Sequence, residues 1–323
     1  MPYKQENGES KYYGRFNWGV CTISLPDLAL SSKGDEKEFW KLFDERMELI
    51  HKVHRSTYKR LCNATSDVAP ILWQHGAFTR IDKHESIKPF LENNYSSVSI
   101  GYAGLYECVK YMTGHSHTDN GIGYEFALKI MKALKDRADK WQKEEHLGYS
   151  IYGSPIESTT YKFAKCLKKR FGNDVFINLD GKDRNYITNS VHVPVFEKID
   201  IFNKLKLEAE FQPYSTGGYV SYGEIPNMQD NIPAVLEIIK YIYNTIMYAE
   251  LNTKSDYCMA CGYDGEIKVV KDDDGRLIWE CPNCHNRDTD KMSVARRVCG
   301  YIGSNYFNQG RTNEIAERVL HVD

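Results

Sequence analysis

The sequence of 323 residues lacks an excess of charge of either sign: 42 lysines and arginines stand against 44 aspartates and glutamates. A broad nucleic-acid footprint needs a basic excess or stripe, so this balance argues against direct nucleic-acid binding. The sequence also lacks any apolar run of about 18 residues, which argues against a membrane-spanning helix. Its first residues, MPYKQENGESKYYGRFN, lack the apolar region of a signal peptide. We therefore expect a cytoplasmic protein with no membrane part.

A disulfide framework is not indicated either. The nine cysteines are odd in number, and four of them fall in two CxxC motifs. This pattern is typical of a metal site plus free thiols in a reducing compartment. Apolar residues make up 41% of the chain and charged residues 27%, which is enough apolar material for a packed core. The length allows two ordinary domains or one large barrel.

Strand-like and helical patterns alternate along the chain, which indicates an α/β fold. The longest predicted helix covers about 36–63, where apolar residues recur at spacings of three and four on one face. These residues are Phe39, Leu42, Phe43, Met47, Ile50 and Val53. Further helices are predicted at 104–113, 123–146, 157–171 and 233–251. Strands are predicted at 20–30 (running into a turn at Pro26), 69–73, 97–102, 149–152, 185–192 and 218–222.

A compact C-terminal module begins after Asn252. Cys258-x-x-Cys261 and Cys281-x-x-Cys284 are separated by 19 residues, the spacing of a zinc ribbon. Two thiolates on one tight turn take two corners of a tetrahedron, and the second turn takes the other two. We expect Zn²⁺ there as a structural ion, because four thiolates leave no open coordination position. Two strands, 266–270 and 276–280, are predicted between the motifs, and His285 is interpreted as a loop residue.

The segment RVCGYIG follows the four cysteines, about two dozen residues before the C-terminus. It strongly resembles the glycyl-radical loop of anaerobic (class III) ribonucleoside-triphosphate reductases. Other segments resemble that family's catalytic domain in the family's order. They are GRFNWGVCTISLPDLAL, SKGDEKEFWKLFDERMELI, YGSPIESTTYKFAKCLKKRFG and YITNSVHVPV. The resemblance covers essentially the whole chain.

The resemblance implies a ten-stranded α/β glycyl-radical-enzyme barrel, of which residues 1–251 form the C-terminal half. The zinc ribbon is then 252–290, and 291–323 form the glycyl-radical loop and a last helix. The loop would carry Gly300 into the barrel. Glycine suits this role because the flanking amide and carbonyl delocalise a Cα radical, and no side chain blocks the approach of a partner.

The chemistry implied by the resemblance is reduction of ribonucleoside triphosphates to deoxyribonucleotides for DNA synthesis. An activase with an iron–sulfur cluster and S-adenosylmethionine would remove a hydrogen from Gly300. The radical would pass to a cysteine, which removes the ribose 3′-hydrogen, and the 2′-hydroxyl would leave as water. Formate is the usual reductant of the family. The assembled enzyme is expected to be a homodimer in the cytoplasm of a bacterial or phage-infected cell.

One feature of the family pattern is absent. In the family the thiyl cysteine lies in a Met-Gly-Cys-Arg segment, shortly before the stretch that resembles residues 2–20. No such segment occurs in this sequence. We therefore expect the chain to need an N-terminal partner chain, and to be inactive alone.

Asn17, Tyr152 and Glu157 match family positions at the substrate site, and three backbone groups are further candidates. Asn17, in FNWG, offers an amide to a ribose hydroxyl or to formate, although an asparagine there also caps turns. Glu157 is a candidate base, or a carboxylate placed by a helix dipole. Tyr152 belongs to the same YGSPIE segment. Backbone N–H groups at the following helix start are candidates for the triphosphate. They belong to Gly153, Ser154 and Ile156.

Several other residues favour ordinary structural roles. Arg296 and Arg297 are expected on a solvated face, with the activase or substrate phosphates as the alternative. His192 is expected to be a buried, satisfied histidine. Cys299 and Cys21 are expected to be packed thiols.

Three alternatives to a reductase remain open from the sequence. One is an inactive remnant or interaction fragment with a structural zinc ribbon, which the missing Met-Gly-Cys-Arg segment supports. Another is a different glycyl-radical enzyme, which the four-cysteine segment argues against. The third is a nucleic-acid-binding zinc ribbon, which the charge balance argues against.

Overall fold

The computed structural model describes residues 3–4, 9–119, 121–153, 158–176, 179, 181–298, 301–303 and 307–322, with only the backbone at 3–4 and 301. The described α-helices are α1 (Leu25–Ser32), α2 (Glu36–Leu61), α3 (Pro70–Trp73), α4 (Leu105–Thr113), α5 (Ile122–Glu145), α6 (Thr159–Phe171), α7 (Ile201–Phe211), α8 (Ile232–Thr245) and α9 (Gln309–Glu317). The strands are β1 (Tyr3–Lys4), β2 (Ser10–Lys11), β3 (Asn17–Ser24), β4 (Ser97–Ala103), β5 (Gly148–Tyr152), β6 (Ser221–Glu224), β7 (Ala249–Asn252), β8 (Asp256–Cys258), β9 (Tyr263–Gly265), β10 (Lys268–Lys271), β11 (Leu277–Glu280), β12 (Met292–Ser293), β13 (Arg296–Val298) and β14 (Tyr301–Gly303).

Strands alternate with helices in the first 252 residues, which we call the body, and this confirms the α/β class. β3, β4 and β5 form a parallel sheet in that order, and β6 pairs with β7 in parallel. Residues 216–218 join the two sheets. They run beside β5, where the Gly217 N–H donates to the Ile151 carbonyl at 2.7 Å and Tyr152 bridges Gly218 in parallel.

The largest apolar core lies between this sheet and its helices. Val98, Ile100 and Tyr102 of β4 are fully buried. The apolar face predicted for α2 belongs to the same core through Phe39, among others, and Asp35 caps the helix by accepting from the Glu38 N–H at 2.8 Å. The predicted face is displaced at its end. Val53 is 51% exposed and His54, one residue on, is buried instead, because the face of a real helix drifts with its 3.6-residue period.

Four predicted elements differ from the structure. The strand expected over 20–30 ends at Ser24, and α1 follows, because Pro26 suits a first helical turn. Residues 70–73 are helical for the same reason, since Pro70 opens α3. The helix expected to reach 251 ends at Thr245, and β7 follows to complete a β–α–β unit with β6.

The segment 185–192 is not a strand but an irregular cap over α4. The Thr188 N–H donates to Glu107 Oε1 at 2.7 Å, and the Gly104 N–H donates to the Thr188 carbonyl at 2.8 Å. Its hydrogen bonds therefore go to a helix start and a carboxylate instead of a strand ladder. Burial raises the pKa of Glu107 to about 7, although Thr188 donates to it.

Two small units follow the body. The ribbon, residues 256–293, holds the antiparallel pairs β8–β9, β8–β12 and β10–β11, close to the two strands predicted between the cysteine motifs. The hairpin is formed by β13 and β14, whose register pairs Arg296 with Gly303 and Val298 with Tyr301. Among the described residues, no helix is both long and apolar enough to cross a membrane.

Helix α9 connects the ribbon to the body. The Gln309 amide accepts from the Leu277 N–H at 2.8 Å and donates to its carbonyl at 3.0 Å, as a strand would. At its other end, Glu317 Oε2 accepts from Arg184 and Tyr186, each at 2.6 Å. Gly310 permits the close approach, because a Cβ there would lie 2.5 Å from the Tyr161 ring.

Candidate functional site

The four cysteines of the two CxxC motifs converge on one point. Their sulfur atoms all lie within 4.8 Å of one another. The Cys258–Cys284 and Cys261–Cys281 Sγ distances are both 3.7 Å. Four sulfurs about 2.3 Å from a tetrahedrally bound zinc are separated by nearly this distance. The donor set and its geometry therefore fit Zn²⁺, with all four positions of the ion taken by protein.

Both turns around the cluster have the same construction. The Gly262 N–H donates to the Cys258 carbonyl at 2.8 Å, and the His285 N–H donates to the Cys281 carbonyl at 2.9 Å. Each turn contains a residue with positive φ, Gly262 in the first and His285 in the second. The His285 ring is exposed and lies 3.0 Å from Glu280, so it is the loop residue that the sequence predicts.

Asparagine amides surround the sulfurs. Asn283 Nδ2 donates to Cys261 Sγ at 3.5 Å, and Asn286 Nδ2 approaches Cys258 Sγ at 3.9 Å. The Asn283 hydrogen bond lowers the pKa of Cys261 to about 6. Donors of this kind stabilise the thiolate form that binds a metal.

Asn17 lies at the start of β3, where its amide is hydrogen-bonded to the neighbouring strand β4. Its Nδ2 donates to Ser97 Oγ at 3.2 Å and to Ser99 Oγ at 2.5 Å, and its Oδ1 accepts from the Gly19 N–H at 2.9 Å. The last contact is the turn-type hydrogen bond that the sequence left open as the alternative. The side chain is exposed, and one lone pair of Oδ1 has no partner in this set of contacts.

Tyr152 and Gly153 lie at the opposite end of the sheet. Asn17 is level with Ser97 of β4, whereas Tyr152 is level with Gly101. Four residues of strand separate those levels by about 13 Å. The Gly153 N–H donates to the Gly218 carbonyl at 3.0 Å, so in this conformation it does not point to a ligand. Glycine is required there because a Cβ would lie 2.7 Å from the Tyr219 ring.

The remaining predicted site residues lie outside the described residues. They are Ser154, Ile156, Glu157 and Gly300, with Cys299 beside the last. The described elements on either side show where these residues fall along the chain. α6 begins at Thr159, after the first three, and β13 and β14 flank residues 299–300.

Arg296 is not on a solvated face, contrary to the expectation from the sequence. It is 3% exposed and forms a two-pronged ion pair with the buried Asp256 of β8, with Nη2 2.7 Å from Oδ2. It also donates to the Ile267 carbonyl at 3.2 Å. Arg297 is half-buried and pairs with Glu250 of β7 at 2.5 Å. The sequence shows only two adjacent arginines, because composition does not reveal which acidic residues contact them in the folded protein.

The sequence also did not reveal a buried charge cluster behind the hairpin. Arg311, Glu314 and Arg318 recur at spacings of three and four, which places them on one face of α9 and its end. This face meets Glu224 of β6, whose Oε1 lies 3.2 Å from Arg318. Burial opposes ionisation of Glu314, but Arg318 and Arg311 lower its pKa to about 2. The spacing of three and four residues, which places side chains on one helix face, was the signal in the sequence that could have indicated this cluster.

A small cavity of about 60 Å³ lies between the hairpin and the body. Its walls include Thr188, Tyr222, Val298 and His321. Pockets for small molecules usually measure about 300–1,000 Å³, so this space does not by itself hold a nucleotide. His192 borders it and is buried as predicted, with its ring nitrogens 2.8 Å from the Asn189 and Val220 carbonyls.

The chain matches known proteins over nearly its whole length. The family model described as anaerobic ribonucleoside-triphosphate reductase matches residues 3–321. The anaerobic ribonucleoside-triphosphate reductase of Escherichia coli K12 is 35% identical over 325 residues, which are 99% of this chain and 44% of the relative. That of enterobacteria phage T4 is 33% identical over 99% of this chain and 51% of its own length.

Solved structures show the same fold. A structure titled anaerobic ribonucleotide reductase superposes with a TM-score of 0.73 and 20% identity, over 100% of this chain and 48% of that one. The Thermotoga maritima enzyme with glycerol in the active site gives 0.65 and 19% identity, over 98% of this chain and 45% of its own. The chain thus spans about half the length of the relatives that it matches. With the family model covering nearly every residue, the chain belongs to the anaerobic ribonucleoside-triphosphate reductase family.

Proposed function

We propose that this chain is the radical-bearing C-terminal part of an anaerobic ribonucleoside-triphosphate reductase. The observation that carries the proposal is the position of RVCGYIG. Its described residues form β13 and β14, on either side of Gly300, and the body and the ribbon both contact β13. A glycine between two anchored strands is a suitable carrier for a radical that must meet a partner group at a fixed place.

The fold supports a half-barrel for the body. β3, β4 and β5 form one parallel sheet and β6 and β7 another, and residues 216–218, just before β6, lie beside β5. Five strands are the number that half of a ten-stranded barrel requires. The two outer strands, β3 and β7, would then pair with strands from a part of the reductase that this chain does not span. Both edges carry exposed apolar side chains nearby, with Val20 at β3 and Met247 just before β7.

The chemistry follows the family pattern. A radical-generating activase removes a hydrogen atom from the Cα of Gly300. The glycyl radical takes a hydrogen atom from a cysteine of the N-terminal part, and the resulting thiyl radical removes the ribose 3′-hydrogen. The 2′-hydroxyl leaves as water, and formate supplies the electrons. Zn²⁺ at the four cysteines supplies structure only, because no ligand position remains open.

The residues of the body have roles to match. Asn17 presents its amide Oδ1 toward a ribose hydroxyl or formate, with Ser99 fixing its orientation. Glu157 is the candidate base near the ribose 3′-hydroxyl, and Tyr152, in the same YGSPIE segment, is a further substrate-site residue. Ser154 and Ile156 are the remaining backbone donors for the triphosphate, since the Gly153 N–H is directed at Gly218. A homodimer in the cytoplasm completes the proposal.

The test is anaerobic electron paramagnetic resonance. The chain is mixed with a cognate activase, reductant and S-adenosylmethionine, with and without a separately made N-terminal part of the reductase. We expect a doublet that is lost in Gly300→Ala and kept in Gly121→Ala, a control glycine where an added Cβ meets only ordinary contacts. Deoxyribonucleotide should form only when both parts are present. Absence of a radical in every mixture, with zinc still bound, would support the inactive-fragment alternative.

A further inference from the structure

Arg318 contacts the main chain of the hairpin. Its Nη1 donates to the Arg297 carbonyl at 2.9 Å, from the residue directly after α9. This contact differs from the two ion pairs described above that also bind β13. The Arg296–Asp256 and Arg297–Glu250 pairs both act through side chains of the hairpin, which have rotatable bonds, whereas a carbonyl is fixed to the strand itself.

All three guanidinium nitrogens of Arg318 donate hydrogen bonds. Its Nε donates to Glu314 Oε1 at 3.0 Å, and Nη2 lies 3.4 Å from Glu314 Oε2. Nη1 also donates to Glu224 Oε1 at 3.2 Å. The side chain is 7% exposed, so water does not compete for these contacts. A planar guanidinium with several acceptors has one orientation, and a carbonyl that it binds is fixed with it.

The acceptors of Arg318 are anchored to the body. Glu224 Oε1 accepts from Asn252 Nδ2 at 2.8 Å, which connects the ends of β6 and β7. The Glu224 N–H donates to His321 Nδ1 at 2.8 Å, and the His321 N–H returns to the Glu224 carbonyl at 2.8 Å. His321, three residues after Arg318, is therefore hydrogen-bonded to the backbone of Glu224. Glu224 is at the end of β6, and its carboxylate binds Arg318.

We infer that Arg318 is a positioning residue that fixes β13, and with it the hairpin, against the ends of β6 and β7. Its importance for radical chemistry rests on the proposed function, since Gly300 is in this hairpin. The hold on the hairpin does not rest on it. Arg318 acts through the Arg297 carbonyl and need not touch substrate.

The direct test is hydrogen–deuterium exchange of the full zinc-loaded chain. In Arg318→Gln we expect the amides of β13 and β14 to exchange at least about tenfold faster, as for the loss of one charge-assisted hydrogen bond. The amides of β10 and β11 should be unchanged. The matched control is Arg287→Gln, which removes an exposed arginine bound to Glu280 and should leave the hairpin unchanged.

A second variant separates positioning from charge balance. Arg318→Gln leaves Glu224 without its cation, which can destabilise the fold generally. Arg318→Gln with Glu224→Gln removes one charge of each sign and keeps an acceptor for Asn252. Faster exchange confined to the hairpin in this variant supports the inference. Unchanged hairpin exchange in both Arg318 variants would overturn it.

Paramagnetic resonance supplies the functional readout. With activase, we expect the Arg318 double variant to give a several-fold weaker Gly300 doublet at equal zinc content and equal melting temperature of the body. If the unaltered chain gives no doublet, the proposed function fails, while the exchange experiment still decides the role of Arg318. A doublet of full strength together with a loosened hairpin would contradict its role in radical positioning.

Discussion

The body and the ribbon bury very different kinds of material. In the body, the strands β3–β5 and helices α2, α4 and α5 share a large core in which Ile100, Tyr102 and Phe43 are almost completely inaccessible. In the ribbon, the corresponding cluster is small, and two of its members, Cys258 and Cys281, are thiols of the four-cysteine cluster. A segment of this size cannot bury enough apolar surface to fold by itself. We therefore expect a metal ion at the four cysteines, together with the Arg296–Asp256 pair, to stabilise the ribbon as apolar packing stabilises the body.

The largest expected effect is that of removing the metal. Chelation of zinc, or Cys258→Ser, should unfold the ribbon and leave the body folded, because structural zinc contributes about 10 kcal/mol or more to such modules. Limited proteolysis should cut within 256–293 first, while the main thermal transition remains. Cys166→Ser, at an exposed cysteine of the body, is the control and should retain one zinc per chain. Loss of the body transition together with the zinc would show that the two regions fold as one unit.

A cavity in the body core should have the converse effect. Phe39 is completely buried, and Phe39→Ala should lower the free energy of unfolding of the body by about 3–5 kcal/mol. Urea titration measures this loss, and zinc content measured in parallel should be unchanged. Leu49→Ala, at a half-exposed position of the same helix, should change the stability little. Release of zinc by Phe39→Ala would contradict the independence of the two regions.

The buried ion pair between ribbon and hairpin should matter more than any surface pair. Asp256→Asn leaves Arg296 buried without its counter-charge, and we expect a loss of about 3 kcal/mol in the stability of the ribbon. Glu280→Gln removes the partner of Arg287 and His285 at the surface, where the loss of stability should be much smaller. Melting monitored by hydrogen exchange of β8 and β13 distinguishes the two. Equal effects would mean that burial of the Arg296 pair carries no special weight.

Acid should weaken the body and the packing of α9 against it through buried carboxylates. Burial opposes ionisation of Glu208 and Glu314, but neighbouring Lys204 and Arg318 respectively lower each pKa to about 2. A lowered folded-state pKa adds stability above the unfolded-state value near 4.5, and this stability is lost as the pH falls toward 2. Each group should contribute about 3 kcal/mol at neutral pH. Glu107, with its raised pKa of about 7, has the opposite sign and favours the folded state at lower pH.

The pH prediction is checked by urea titrations between pH 7 and 3. Glu314→Gln should flatten the acid-side loss of stability, whereas Glu107→Gln should remove a loss of stability that occurs as the pH rises from about 4.5 to about 7. An unchanged acid profile in Glu314→Gln would mean that Arg311 and Arg318 stabilise the protein independently of the charge on Glu314.

The sequence predicted the four-cysteine cluster because its signal is local. Two CxxC motifs create two similar turns wherever the chain places them, and their spacing leaves room for one hairpin between them. The long helix α2 was predicted for a similar reason, since its apolar period repeats over many turns. Short elements were predicted poorly. Residues 69–73 and 185–192 look like strands in composition, but Pro70 and the capping of α4 decided their conformation.

By itself, the sequence determined the α/β order, the four-cysteine cluster and the family, because each of these rests on spacing or on motifs along the chain. Only the tertiary structure decided which charges meet. Asp256 and Arg296 are 40 residues apart, and Glu224 and Arg318 are 94 apart. The local sequence pattern carries no information about such pairs. A charged residue in a sequence does not reveal whether its side chain is solvated or paired with an opposite charge. Burial makes the distinction, and burial is fixed only when the ribbon, the hairpin and α9 pack on the body.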